Sequence, residues 1–395
     1  MIKTLKSFDF KDKNVLLRVD FNVPTKNGMI EDNFRIKSSL PTIKYLLNAG
    51  AAVILMSHLG RPKGQKKNKL TLQPIGEELA SLLEMPIKFS HSCVSEDSLD
   101  TSLGLKAGEI HLLENLRFHI EEEQNDNDFS SRLAKHGSIY LNDAFGTLHR
   151  AHASNYGVVK HFKHRGIGML VEKEIAYLDK MIKNPEKPMS VIIGGSKIMT
   201  KLEMIEKFLK IADNIIIGGG MCFTFIKARG KNIGNSIFEI DCLNIASEII
   251  KKARVFGVNI FLPTDFLCAK NIDSTNTEGP YNISDIPSNL MGLDIGHDSI
   301  SSFKNILSKS KTVLWNGPLG AFEYKPFAKG TKDIAEHLGR MCSLGSKVII
   351  GGGDTASAIK KFNLLSEMSH VSTGGGASLK LMSGDILPGL NSLET

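Results

Sequence analysis

The chain has 395 residues, room for two or three domains, and its 42% apolar and 23% charged content suits buried cores, which excludes a disordered or fibrous protein. A formal net charge of +7 is mild and compatible with small anions or nucleic acid as ligands. Five widely spaced cysteines, Cys93, Cys222, Cys242, Cys268 and Cys342, form no C-x-x-C pair, which argues against a disulfide framework or a zinc site and for a reducing compartment.

The first residues, "MIKTLKSFDFKDKNV", contain no apolar stretch of signal-peptide length, and the longest uncharged stretch, near "NIIIGGGMCFTFI", is too short to span a bilayer. A cytoplasmic protein without a membrane partner is expected. Short apolar runs then recur, each closed by a Gly, Asn or Asp turn and followed by a helical pattern. In the first half they are "NVLLRVDFNVP", "AAVILMSHLG", "EIHLLENLRFH" and "SIYLNDAFGT". In the second they are "SVIIGG", "NIIIGGG", "NIFLPTDF", "TVLWNGP", "KVIIGGGD" and "HVSTGGG". Unbroken Val/Ile/Leu runs suit strands buried on both faces of a parallel sheet. Amphipathic segments such as "NFRIKSSLPTIKYLLNAG" and "TKLEMIEKFLKIAD" lie between them, so the expected class is α/β, with doubly wound parallel sheets. The charged segment "LVEKEIAYLDKMIKNPEKP" separates the halves. The expected division is a first domain over 1–169, a connecting helix or hinge over 170–188 and a second domain over 189–375.

The halves differ in their anion chemistry. Seven of the ten arginines precede Gly168, although lysine is the commoner cation overall. Four strand ends there carry polar groups: Asp20 and Asn22; His58 and Arg61; Asn115 and Arg117; His149, Arg150 and His152. Arg35 heads the helix after the first strand. A single such arginine is usually a solvated surface residue. Four consecutive strand ends bearing them describe a site for a small, strongly anionic ligand carrying phosphate or carboxylate. Asp20 or Asn22 would hold its hydroxyl.

In the second half the strand ends carry Gly194-Gly195, Gly218-Gly219-Gly220, Gly351-Gly352-Gly353 and Gly374-Gly375-Gly376. Without a Cβ, backbone N–H groups can touch a ligand, and a helix start adds unpaired donors that attract phosphate. One such turn is ordinarily a plain βα turn; four at one sheet edge describe a phosphate and nucleotide floor. No G-x-x-x-x-G-K-[ST] occurs, which excludes the Walker-type loop. "GGGDTA" fits a loose G-x-G-x-x-A, but the next strand, "HVSTGGG", lacks the acid that would hold a ribose, which weakens a dehydrogenase reading. Asp354 suits a helix N-cap. Beside phosphates it would need a cation between, and Mg²⁺ is the natural candidate. Thr355 would hydrogen-bond a phosphate oxygen. With one Trp and six Tyr, the chain lacks the aromatic-interleaved basic surface of single-strand binders, so no nucleic-acid partner is expected.

Together, "RVDFNVP", "SHLGRPKG", "LLENLRFH", "NDAFGTLHRAHAS", "GGSKIMTK", "IIIGGGMCFTF", "LPTDF", "GLDIG", "LWNGPLGAFE", "IIGGGDTASA" and "STGGGASL" resemble the phosphoglycerate kinase family, in that family's order from about Arg18 to Leu379. The resemblance implies two Rossmann-like domains joined by a long helix and facing each other across a cleft, in a monomer. It implies a 3-phosphoglycerate site at Asp20, Asn22, Arg35, His58, Arg61, Arg117, His149 and Arg150. It implies a nucleotide site at Lys197, Lys201, Gly219, Gly292, Asn316, Glu323, Gly352, Gly353, Asp354 and Thr355, with Glu323 on the ribose and Asp354 on the metal. It also implies that residues 376–395 return to the first domain. Ser196, His297 and Lys380 depart from the family pattern, where Ala, Pro and Glu are expected.

The implied reaction is reversible, Mg²⁺-dependent phosphoryl transfer between ATP and the carboxylate of 3-phosphoglycerate, running toward ATP in glycolysis. A carboxylate is already ionised at neutral pH, so no general base is required. Arg35, Lys197 and the helix start at Gly375 and Gly376 would neutralise the transferring group. Lys197 and Lys201 are four residues apart and would share one face of a helix. Domain closure would exclude water, with the connecting segment as part of the hinge.

Overall fold

The computed structural model describes residues 2–26 and 28–394. The chain divides into two units, Met1–Ala176 with Ile386–Thr395, and Tyr177–Asp385.

Unit 1 is built on a six-stranded parallel sheet of β1 (Asn14–Arg18), β2 (Ala52–Met56), β3 (Lys88–Ser90), β4 (Ile110–Leu113), β5 (Ile139–Asn142) and β6 (Arg165–Ile167), in the order β3-β4-β2-β1-β5-β6. β2, β4 and β5 are buried along their whole length, as unbroken apolar runs require when both faces are covered. Val15, Leu17, Val53, Leu55, Leu112 and Leu141 anchor one face of its core. The chain steps outward from β1 on one side and later returns to its other side, so the strand order reverses at β1. In such sheets the crevice at the carboxyl end of that strand receives the ligand. The first strand is followed by helix α1 (Phe34–Asn48), and Arg35 lies in its first turn.

Unit 2 repeats the plan with β7 (Met189–Ile193), β8 (Asn214–Ile217), β9 (Asn259–Phe261), β13 (Thr312–Asn316), β14 (Lys347–Gly351) and β15 (His370–Val371), in the order β9-β8-β7-β13-β14-β15. Here the reversal falls between β7 and β13. The single tryptophan, Trp315, is fully buried in this core. Between β9 and β13 an antiparallel sheet is inserted, formed by β10 (Asp265–Ala269), β11 (Glu278–Asn282) and β12 (Met291–Ile295) in the order β11-β10-β12.

The two Rossmann-like α/β units agree with the expected fold class. Two differences concern boundaries. The helix expected over 170–188 is α2 (Met169–Lys183), and the division falls inside it, between Ala176 and Tyr177, so its residues are shared between the units. Its start is fastened to unit 1: the Asp143 carboxylate accepts from Leu170 N at 2.9 Å and Val171 N at 3.2 Å. The return to unit 1 comes later than residue 376. Helix α5 (Gly376–Ser383) stays in unit 2 and packs on α3 (Leu202–Phe208), burying Ala377, Ser378 and Met382. The return starts at Ile386 and seats the short helix α6 (Pro388–Asn391), where Gly389 N donates to Leu148 O at 2.9 Å. Helix α4 (Gly353–Lys361) follows β14.

Candidate functional site

In unit 1, the groups expected to bind an anion gather at the carboxyl end of β1 and its neighbours. Arg35 donates from one guanidinium nitrogen to Asp20 Oδ2 at 3.0 Å and to Asn22 O at 3.1 Å. Asn22 Oδ1 accepts from Gly60 N at 2.9 Å, which ties the loops after β1 and β2 together. Arg117, on the turn after β4, is buried and donates to Gly60 O at 2.9 Å, with Glu123 at 3.5 Å. Arg150 Nε donates to His149 Nε2 at 3.2 Å on the loop after β5. Arg61 is exposed.

These cations repel one another. Burial, and then Arg150, bring Arg117 down to about 10. Burial, followed by Arg18, Arg117, Arg35 and Arg150, holds the His58 imidazole well below its ordinary value. Burial and three of those arginines bring His152 down to about 3. Asp20, Glu122 and Glu123 offset part of this charge, and the buried basic groups that remain suit an anion. Arg18 was absent from the expected site, yet it is buried among these groups and lies 3.1 Å from His58 Nδ1. The sequence signal was available, since Arg18 sits two residues before Asp20 in "RVDFN".

In unit 2, the carboxyl ends of β7, β8 and β13 and the start of α4 border a cavity of about 500 Å³. Gly195, Gly219, Gly292, Glu323 and Asp354 line it, and its walls are apolar: Phe223, Ile237, Phe266 and Met291. The Phe223 and Phe266 rings lie 4.6 Å apart. An apolar, aromatic-lined cavity beside glycine turns fits a nucleotide base with phosphates at the strand ends. The wall residues escaped sequence reasoning because apolar residues in "MCFTF" and "LPTDF" read the same whether they face core or cavity.

The glycine turns divide in role. A Cβ on Gly194 would lie 2.1 Å from Pro318 O, and one on Gly219 (φ +63°) would lie 2.6 Å from Gly195 N. These two serve the close packing of the turns on each other. Gly353 and Gly375 have nothing within 4 Å of an added Cβ, so space for a ligand is open there. Gly375 and Gly376 form the start of α5, and Gly352 (φ +84°) that of α4.

Lys197 and Lys201 do not share a helix face. α3 begins only at Leu202, and Lys197 sits exposed on the preceding loop. A turn held by Thr200 Oγ1 donating to Lys197 O at 2.9 Å, and by Ile198 N donating to Glu239, replaces the expected helical turn. Lys201 instead donates to Asn316 Oδ1, and burial lowers its pKa while Asp354 opposes that shift. Asn316 is fully buried, and its Nδ2 has no hydrogen-bond partner among the described residues. Such a donor costs free energy until an acceptor arrives. Thr355 is buried, and its hydroxyl accepts from Gly317 N at 2.6 Å, pinning the turn after β13. Asp354 is exposed at the cavity lining. One hard carboxylate oxygen beside phosphate-sized space fits Mg²⁺, which keeps several waters and binds through one or two carboxylates plus phosphates. The departure His297 lies away from this cavity lining and approaches Asp298 at 3.0 Å and Asp265 at 3.7 Å.

No helix among the described residues is long and apolar enough to cross a membrane. The family model described as phosphoglycerate kinase matches residues 5–385. The chain is similar to the phosphoglycerate kinase of Finegoldia magna, 47% identical over 394 residues, which is 99% of each chain. It is similar to that of Borrelia hermsii, 44% identical over 393 residues, covering 100% of this chain and 99% of that one. The solved structure of phosphoglycerate kinase from Coxiella burnetii superposes with a TM-score of 0.88 at 35% identity, covering 100% of this chain and 99% of that one.

Proposed function

The chain belongs to the phosphoglycerate kinase family, an enzyme family acting on small-molecule phosphoglycerate and nucleotide, and we propose how its own residues divide that work. The cationic cluster at the end of β1 binds 3-phosphoglycerate, through Arg35, His58, Arg61, Arg117, His149 and Arg150, with Asp20 and Asn22 on its hydroxyl. The unit 2 cavity binds ATP or ADP, the base between its apolar walls and Glu323 on the ribose. The observation that carries this reading is the gathering of basic groups at the end of β1: Arg18 lies 3.1 Å from His58, and Arg35 and Arg117 hold the flanking loops through Asn22 O and Gly60 O.

A carboxylate oxygen of 3-phosphoglycerate attacks the γ-phosphorus. The bond from phosphorus to the β-phosphate oxygen breaks, and its electron pair leaves with ADP. The products are the acyl phosphate 1,3-bisphosphoglycerate and ADP, and the reverse step makes ATP. No proton moves, since the nucleophile is ionised at neutral pH. The chain's contribution is therefore charge and orientation. In unit 1, Arg35 neutralises substrate oxygens. In unit 2, Lys197, Lys201, the Asn316 Nδ2 donor and the helix starts at Gly352–Thr355 and Gly375–Gly376 neutralise phosphate oxygens. Mg²⁺, held by Asp354 with phosphate oxygens, supplies further neutralisation of the phosphates when bound. We place the working protein in the cytoplasm as a monomer.

The test is ADP formation from Mg·ATP with and without 3-phosphoglycerate, using hydroxylamine to trap the acyl phosphate. Turnover that requires 3-phosphoglycerate and Mg²⁺, and falls by roughly 100-fold or more in Arg35→Ala, supports the reading. Turnover retained in a folded Arg35→Ala variant would refute Arg35's role.

A further inference from the structure

The cluster of unit 1 contains a directional hydrogen-bond chain that leads into the site. Glu122 is fully buried, and its two oxygens accept from Ser154 N at 2.9 Å and Ser154 Oγ at 2.6 Å. Because the Ser154 proton is given to Glu122, the Ser154 oxygen is left to accept, and it does so from Arg18 Nε at 2.9 Å. Arg18 also donates to Val19 O, and its remaining nitrogen lies 3.1 Å from His58 Nδ1. A guanidinium has five donors and no acceptor. The Arg18 contact therefore requires a lone pair on Nδ1, and the ring proton must sit on Nε2.

We propose that Arg18, oriented by Ser154 and Glu122, is a positioning residue that holds His58 as the neutral Nε2–H tautomer, so that His58 offers the anionic substrate a hydrogen-bond donor and no charge. The charged groups that weigh most on His58 act in the same direction. Arg18 from β1, Arg35 from α1, Arg117 from the turn after β4 and Arg150 from the loop after β5 all disfavour an imidazolium. Glu122 is the buried counter-charge that makes the Arg18 cation tolerable, and burial raises its own pKa while Arg18 opposes that rise. His152 Nδ1, 3.9 Å from Glu122 Oε1, is kept neutral by burial and by Arg117, Arg150 and Arg18, so it does not compete as Glu122's counter-ion. The consequence is a site to which His58 adds no cationic charge, with an affinity that His58 does not alter as pH falls.

The assignment of the tautomer does not use the identity of the substrate; its consequence for binding rests on the function proposed above. The experiment is long-range ¹H–¹⁵N correlation of the histidine-labelled, ligand-free chain from about pH 8 to about pH 5.5, a span in which ordinary histidines titrate. The His58 signal is identified by its loss in His58→Gln. The expected result is an Nε2–H pattern that does not titrate. Protonation at Nδ1, or titration near the ordinary value, overturns the proposal.

Glu122→Gln keeps the side chain's size and removes the counter-charge, and it should admit a second tautomer at His58. An unaltered His58 pattern in that variant, if folded, removes Glu122 from the chain. Kinetically, His58→Ala should raise the KM for 3-phosphoglycerate by roughly tenfold with kcat less affected, and His58→Gln, which retains an N–H donor, should recover most of it. A confirmed tautomer with no KM change in His58→Ala would refute the substrate assignment at His58 and leave the Arg18 chain standing.

Discussion

A second buried chain of hydrogen bonds in unit 1 predicts how that unit fails in acid. Ser102 Oγ lies 2.8 Å from His111 Nδ1 and 2.7 Å from His136 Nδ1, His111 Nε2 is 2.8 Å from Ser90 Oγ, and His136 Nε2 is 3.1 Å from Cys93 O. The carbonyl of Cys93 can only accept, so His136 donates from Nε2 and accepts at Nδ1 from the Ser102 hydroxyl. The Ser102 oxygen then accepts from His111 Nδ1–H, and Ser90 donates to His111 Nε2. An additional ring proton would require one of these serine hydroxyls to turn away from the ring nitrogen to which it donates. Burial accordingly takes each imidazole from 6.5 to about 4. That difference is worth about 3 kcal/mol per histidine, against a total stability of about 5–15 kcal/mol for a domain. The sign follows from the direction: a folded value below the unfolded one gives stability that is complete above pH 6.5 and disappears as pH falls toward 4. Asp143, raised by burial to about 6, works in the opposite sense, so its contribution fades as pH rises through that value. A difference between variants separates the two. His136→Gln retains a donor for Cys93 O and an acceptor for Ser102 but cannot titrate. Between pH 6.5 and 4 it should lose about 3 kcal/mol less than the wild type. The assay is amide hydrogen exchange in β2 and β4, because the one tryptophan, Trp315, belongs to unit 2 and does not report on unit 1. Equal losses in the two proteins, or a His136 that titrates near 6.5, would refute the reasoning.

Gly219→Ala and Gly353→Ala should behave as opposites. The first forces a Cβ into backbone at φ +63° and should cost unit 2 about 2–3 kcal/mol in urea unfolding followed by Trp315 fluorescence. The second meets nothing within 4 Å and should change stability by less than about 0.5 kcal/mol while weakening nucleotide binding by roughly tenfold in calorimetry. Arg35→Lys preserves charge but not the planar guanidinium, one nitrogen of which reaches both Asp20 and Asn22, and it should lower kcat/KM for 3-phosphoglycerate by roughly tenfold or more in the hydroxylamine-trap assay. Asp354→Asn should shift the Mg²⁺ dependence of turnover to higher concentration by roughly tenfold, with the KM for 3-phosphoglycerate unchanged.

What could be read along the chain was whatever is written in neighbouring residues. The buried strands announced themselves as unbroken apolar runs, and their glycine or arginine endings lay within a few residues of them, so the α/β class, the two sheets and the polar groups and glycines that close their strands were legible. β3 and β6 were not, because three residues at a sheet edge carry no periodicity. The antiparallel insert was missed because the exposed β11 reads as loop, and "LPTDF" hid the start of a new strand at Asp265 inside an apparent strand end. Other features depend on pairings between distant residues. Arg18 meets Ser154 across 136 positions, Lys201 meets Asn316 across 115, and neither pairing leaves a local mark. Which glycines serve a ligand and which serve the chain's own packing is likewise invisible locally. Gly194 needs its missing Cβ because Pro318 crosses over it, a contact made only when β7 and β13 lie side by side.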